Sequence, residues 1–167
     1  MATDPASVHE LPAWSRLVEW SILIGVIVVL MLVLARQVRV VQGQAELAAL
    51  RSTLNALRTA LLIDHLHKSV APVNSTVAMP ALNPFALLQQ PPTHYLGEMT
   101  AAEAELAPAG SWVFDPVCVC VGYLPIYAQW FDSPSGATMA WYQLGGDSGP
   151  LHLTAKEAYV WQGQAMK

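Results

Sequence analysis

Charge is scarce in this chain. It has 8 Lys and Arg and 12 Asp and Glu in 167 residues, for a net charge of -4. No stripe of Lys and Arg occurs anywhere, which argues against nucleic acid as a partner, because phosphate binding selects basic patches. Cysteine is nearly absent, with Cys118 and Cys120 the only two. One residue separates them, so in an extended strand they share a face, with parallel side chains and Cα atoms near the limit of disulfide reach. The expectation is two thiols that pack as small apolar groups, with no mutual bridge. They leave the redox compartment open. No phosphate loop, dinucleotide fingerprint or pair of catalytic acids is present. The length allows one domain plus an anchor and excludes two ordinary domains.

What the chain does have is a long apolar run. Trp20 to Ala35 carries no charge. A membrane-spanning helix needs about 20 mostly apolar residues at 1.5 Å each. Adding Leu17 and Val18 brings the run into range and leaves Glu19 at its edge. A cleaved secretory signal fits poorly: the run is long for an h-region, Met1–Trp14 has no Lys or Arg, and no small-x-small site follows before Arg36. Arg16 stands on one side of the run and Arg36 and Arg39 on the other. By itself this balance would place the C-terminal part in the cytoplasm, by a margin of only one or two charges.

Beyond the run the helical pattern continues. Arg36 to Leu66 contains no proline and one glycine, Gly43. Leu47, Leu50, Leu54, Leu57 and Leu61 recur at alternating spacings of four and three, which draws one apolar stripe along a helix. Good helix formers fill the other faces, and Ser69 followed by Pro72 marks the end. The spacing predicts one helix over 15–67, on the order of 75–80 Å long.

Residues 68–110 read as a crossing loop, with five prolines (Pro72, Pro80, Pro84, Pro91, Pro92) between Ser69 and Pro92. Thr100 to Leu106 has room for a short helical turn. After Pro108 the period changes: SWVF, VCVCVGY, IYAQWF, ATMAWYQL, LHL and YVW are short runs rich in Val and aromatics, separated by Gly and Pro breakers. They predict an antiparallel meander of about four strands over 111–167. In VCVCVGY, strict alternation would turn Val117, Val119, Val121 and Tyr123 one way and both cysteines the other. A lone small sheet needs something to cover its apolar face, and the leucine stripe is the candidate. The expected fold is α+β: residues 1–14 as a leader or tail, a spine helix, a crossing loop and a small antiparallel sheet packed on the spine.

Three motifs invite chemistry, and each has a plainer reading. Gly146-Asp147-Ser148-Gly149-Pro150 is similar to a serine-protease nucleophile loop, but nothing supplies the partner residues, and Gly, Asp and Ser are common in turns. His65 and His67 lie two apart on a helix and do not face each other, so with Lys68 they suit a helix C-terminus better than a metal. Asn74-Ser75-Thr76 is a glycosylation acceptor only in a eukaryotic secretory setting. The expectation is no enzyme, no cofactor, no metal, no small-molecule substrate and no nucleic acid.

Taken together, SRLVEWSILIGVIVV with its glutamate at position 19, the continuation ARQVRVVQGQAELAALRSTLNALRTAL, and the downstream NPFALLQQPPTHYLGE, GSWVFDP and AYVW resemble type IV pilins and type II secretion pseudopilins. The resemblance implies a membrane-anchored structural subunit of a bacterial envelope filament or secretion machine. Its spine would sit in the inner membrane and its sheet would face the periplasm or exterior. Partners would be the lipid bilayer and homologous subunits that meet through the N-terminal helix. Glu19 matches the family's glutamate, and Arg16, three residues earlier on the same helical face, is the second candidate assembly residue. The five leucines would pack spine against sheet. In this family a glycine precedes the mature first residue, and Trp14 stands there in this chain. That departure keeps an alternative open: an uncleaved single-span accessory subunit of a larger membrane complex.

Overall fold

The structure, a computed structural model, describes residues 13–70, 83–146 and 151–166. The chain divides into two compact units, Met1–Gln42 and Gly43–Lys167. Helix α1 covers Ala13–Val70, 58 residues without a break. It begins slightly before the residue the periodicity suggests and ends three residues later, with His67 and Lys68 in its last turn, where positive charge complements the exposed carbonyls. The Asn74 acceptor and the Asp147–Pro150 part of the Gly-Asp-Ser motif lie outside the described residues.

In the second unit the described residues form two sheets. The larger has five strands: β1 (Tyr95–Glu98), β2 (Trp112–Asp115), β3 (Cys120–Tyr123), β5 (Ala140–Gly145) and β6 (His152–Ala155), in the order β1-β2-β3-β5-β6. The smaller has β4 (Phe131–Asp132), β7 (Val160–Trp161) and β8 (Gln164–Ala165), in the order β4-β7-β8. The larger sheet is mixed, which corrects the expected antiparallel meander. β1 runs parallel to β2, with Tyr95 opposite Trp112 and Glu98 opposite Phe114. Parallel neighbours need a crossover of a dozen or more residues. The segment between Glu98 and Trp112 supplies it and includes the short helix α2 (Ala101–Ala104). Thr100 and Glu103 close a reciprocal capping box at its start. The prolines before residue 93 hid β1, a four-residue strand whose side chains alternate half-buried and exposed.

Alternation across β2, β3 and β5 sorts the core. Trp112, Phe114, Val121, Tyr123, Ala140, Tyr142 and Leu144 pack in one cluster with the five leucines of α1, joined by Leu153, Tyr159 and Trp161. Val113 lies on the other face with Met139 and Ala104 of α2. The cross-strand rows Trp112–Tyr123–Ala140 and Phe114–Val121–Tyr142 are the pairs that fix register in a sheet with buried faces. One aromatic contact ties the two sheets together, Tyr123–Trp161 at 6.4 Å between ring centroids, flanked by Trp112–Tyr123 at 4.7 Å within the larger sheet and Phe131–Trp161 at 5.7 Å within the smaller.

VCVCVGY is not one strand. Pro116–Val119 is a turn, and β3 starts at Cys120. Asp115 Oδ1 accepts from Val117 N at 2.8 Å, and Val119 adopts φ 54°. Together they reverse the chain. The reversal draws the Cα atoms of Cys118 and Cys120 to 5.3 Å, within ordinary bridging range, and the two form a disulfide. This overturns the expectation of two separate thiols, which assumed extended backbone.

Candidate functional site

The described part of the first unit, taken by itself, is an apolar helix surface. Every described side chain from Arg16 to Arg39 whose environment is defined is exposed, and these include Ile22 to Leu34 apart from Gly25. The helix is long and apolar enough to cross a membrane. An isolated helix with apolar residues all round has no stripe to bury against protein, and lipid is the solvent that suits it. Glu19 and Arg16 are both exposed. Lys68 and Asp64 pair at 2.6 Å, whereas Arg16 and Glu19, three residues apart on the helix, form no ion pair with each other. Ser21 returns its hydroxyl to Val18 O at 2.8 Å, the local way a helix satisfies a hydroxyl without an outside partner.

In the second unit the focal residue is a different glutamate. Glu46 lies on α1, buried, one position before Leu47. Its Oε1 accepts from the Tyr123 hydroxyl at 2.8 Å and from Ile126 N at 2.6 Å, and its Oε2 accepts from Tyr127 N at 3.2 Å. Three donors on one carboxylate meet the requirement for burying a charge. Pro125 precedes the two amides, and its fixed φ helps to present them side by side. Burial, and then the neighbouring Glu46 carboxylate, push the Tyr123 hydroxyl far above its usual range, so Tyr123 stays a proton donor. Glu46 thereby fastens the segment after β3 to the helix.

The sequence reading missed Glu46, because a charge flanking an apolar stripe usually faces water. A signal was present nonetheless. Positions three and four residues away are Gln42, Gly43, Ala49 and Leu50, so no cation on the helix accounts for it.

The leucine stripe is deeply placed. Leu47, Leu50, Leu54, Leu57 and Leu61 are all at most 4 % exposed. Gly43 extends the stripe by one more step of four. A Cβ there would sit 2.8 Å from Trp130 Cδ1 and would also meet the Gln162 side chain. Its absence lets β7 come close enough for Trp161 Nε1 to donate to Gly43 O at 3.3 Å.

Among the described residues the remaining candidates bring no catalytic geometry together. His65 is half-buried and His67 exposed. His67 and Asp64 line an open groove of about 610 Å³, where the Asp64 carboxylate is engaged by Lys68. Among the described residues no three His, Cys, Asp or Glu side chains are grouped to hold a metal. Tyr142 is fully buried, and its hydroxyl has no hydrogen-bond partner among the described residues. Burial, and then the neighbouring Tyr159, push its pKa up to about 12, against the pull of Arg58 and Arg51.

A scan of known protein families finds no match to the chain, and neither characterised proteins nor solved structures yield a significant relative.

Proposed function

We propose that this chain is a membrane-anchored, pilin-like or pseudopilin-like structural subunit of a bacterial envelope filament or secretion machine. The observation that carries the reading is the division of labour along α1. Its first part is apolar on every face and bears Glu19 near its start. Its second part uses one leucine stripe to carry a small sheet. Lipid offers little hydrophobic drive for helices to associate, so close packing and polar groups set specificity there. An exposed Glu19 without an ion pair is a group that needs a partner in that setting, and a neighbouring subunit's helix would supply it. A bridged cysteine pair is commoner in oxidising compartments, which favours an outward-facing second unit, while the Lys and Arg balance around the apolar run favours the opposite by a narrow margin.

A second reading is an uncleaved single-span accessory subunit. Trp14 stands where the family has glycine, which favours this alternative. Sequencing the N-terminus of the protein isolated from membranes separates the two. A chain starting at Ser15 supports the processed subunit, and an intact leader supports the accessory role. Cross-linking from a cysteine placed beside Glu19 tests assembly itself. Chain-to-chain products that disappear with Glu19→Ala are expected, and none at all would sink the assembly reading.

A further inference from the structure

Cys118 and Cys120 are bridged across a single residue. As a staple this bridge contributes little, since the entropy removed from the unfolded chain grows with the size of the closed loop. The turn is also held without it. Asp115 Oδ1 takes Val117 N at one end, and Leu144 N on β5 donates to Val119 O at 3.1 Å at the other. β2 and β3 stay in register along four residue pairs from Trp112–Tyr123 to Asp115–Cys120.

The backbone at the bridge is unusual. Val119 sits at φ 54°, a left-handed conformation in which a β-branched residue is an outlier. Such conformations cluster at functional sites. The two cysteine residues are also unequally placed. Cys120 is fully buried, on the sheet face opposite the leucines. Cys118 is half-buried in the turn, beside the exposed Pro116 and Val117, the latter 82 % exposed.

We propose that Cys118–Cys120 is a thiol–disulfide exchange site, with Cys118 the sulfur partners reach, Cys120 the buried resolving sulfur, and a cysteine pair on another protein the substrate. A partner thiolate attacks Cys118 Sγ. The bond between the two sulfurs breaks, and Cys120 Sγ leaves with the electron pair and takes a proton from solvent. The partner's second thiolate then attacks its own sulfur in the mixed disulfide and releases Cys118 as a thiolate, which is protonated. The partner dithiol is oxidised to a disulfide by two electrons, and the bridge is reduced to two thiols. In reverse, Cys120 resolves the mixed disulfide from two residues away, which keeps that intermediate short-lived. Val117 and Pro116 give the partner an apolar shoulder beside the reacting sulfur.

The test uses the full-length chain in detergent micelles. Graded dithiothreitol at neutral pH, trapping with a maleimide and circular dichroism on the same samples should show both thiols appearing while the fold stays intact. With limiting oxidised glutathione, Cys118 in C120S should form its mixed disulfide at least about tenfold faster than Cys120 in C118S, following accessibility. If either variant fails to fold, mass mapping of the first iodoacetamide adduct on the reduced wild type, a thioether that the neighbouring thiol cannot displace, gives the same answer. An adduct on Cys118 supports the assignment, and one on Cys120 overturns it. A bridge that opens only together with unfolding, or equal rates in the two variants, also overturns it.

Discussion

The two parts of α1 share one backbone geometry and a strong apolar bias, yet their surroundings differ. In the first unit Ile22 to Leu34 expose their side chains all round the helix. In the second, leucines at four-and-three spacing are buried on one side, while Arg51, Asn55 and Thr59 stay outside the core. The difference lies in how the apolar residues are arranged, more than in how many there are. A full circumference of apolar residues suits a uniform apolar solvent, whereas a single stripe suits one partner surface. The same contrast holds for the glutamates: Glu19 is exposed without an ion pair, and Glu46 is buried with three donors.

The largest expected effect tests this contrast directly. Leu57 is completely buried, and Leu57→Ala should lower the unfolding free energy of the second unit by about 2–5 kcal/mol, the cost of lost burial plus a cavity. Leu30→Ala, in the exposed segment, should change the same transition by less than about 0.5 kcal/mol. Denaturant titration of the full chain in micelles, followed by near-ultraviolet circular dichroism, measures both. Equal losses would mean that the two parts of the helix are not energetically distinct.

The stripe was legible in the sequence because a proline-free stretch with leucines at helical spacing admits one structure, and a small sheet needs that face. The short strands WVF, AWYQL and HL were legible from β-rich runs between breakers. What escaped depended on backbone reversal or on long-range pairing. β1 is four residues long and sits just after a proline-dense segment, and its parallel pairing with β2 is invisible to local pattern. IYAQWF contributes only Phe131 to a strand, the first residue of Phe131–Asp132, because Ala128–Trp130 closes a 3-10 turn. The bridge at Cys118–Cys120 depends on a positive φ at Val119, a conformation no propensity assigns to valine. Glu46 escaped because its partners lie some 80 residues away in sequence.

A smaller effect separates the two glutamates. Glu46→Gln keeps the shape but replaces one acceptor oxygen with a donor, leaving the Tyr123 hydroxyl or one of the two amides short of a partner. The expected loss is about 1–3 kcal/mol in the same unfolding transition. The Tyr123 hydroxyl should also ionise more easily, since the carboxylate is one cause of its raised pKa, with burial remaining as the larger one. A spectrophotometric alkaline titration reads that change. Glu19→Gln should leave both measurements unaltered. If Glu46→Gln proves as silent as Glu19→Gln, the carboxylate is not the fastener described here.

The smallest effect uses glycines in the two parts of the same helix. Gly25 has nothing within 4 Å of where a Cβ would stand, while at Gly43 that atom would press on the Trp130 ring. Alanine is the better helix former at both positions by about 1 kcal/mol, so the intrinsic gain is the same and only the surroundings differ. At Gly43 it is opposed by about 1–3 kcal/mol of overpacking. The close approach behind the Trp161 Nε1 to Gly43 O bond, at 3.3 Å, would also have to loosen. Gly43→Ala should therefore destabilise the second unit by roughly 1 kcal/mol net and shift Trp fluorescence. Gly25→Ala should leave that unit's unfolding unchanged and raise helicity slightly. A Gly43→Ala variant that is stabilised to the same degree as Gly25→Ala would show that β7 does not need the missing side chain, and that the helix there is less tightly held than its buried leucines imply.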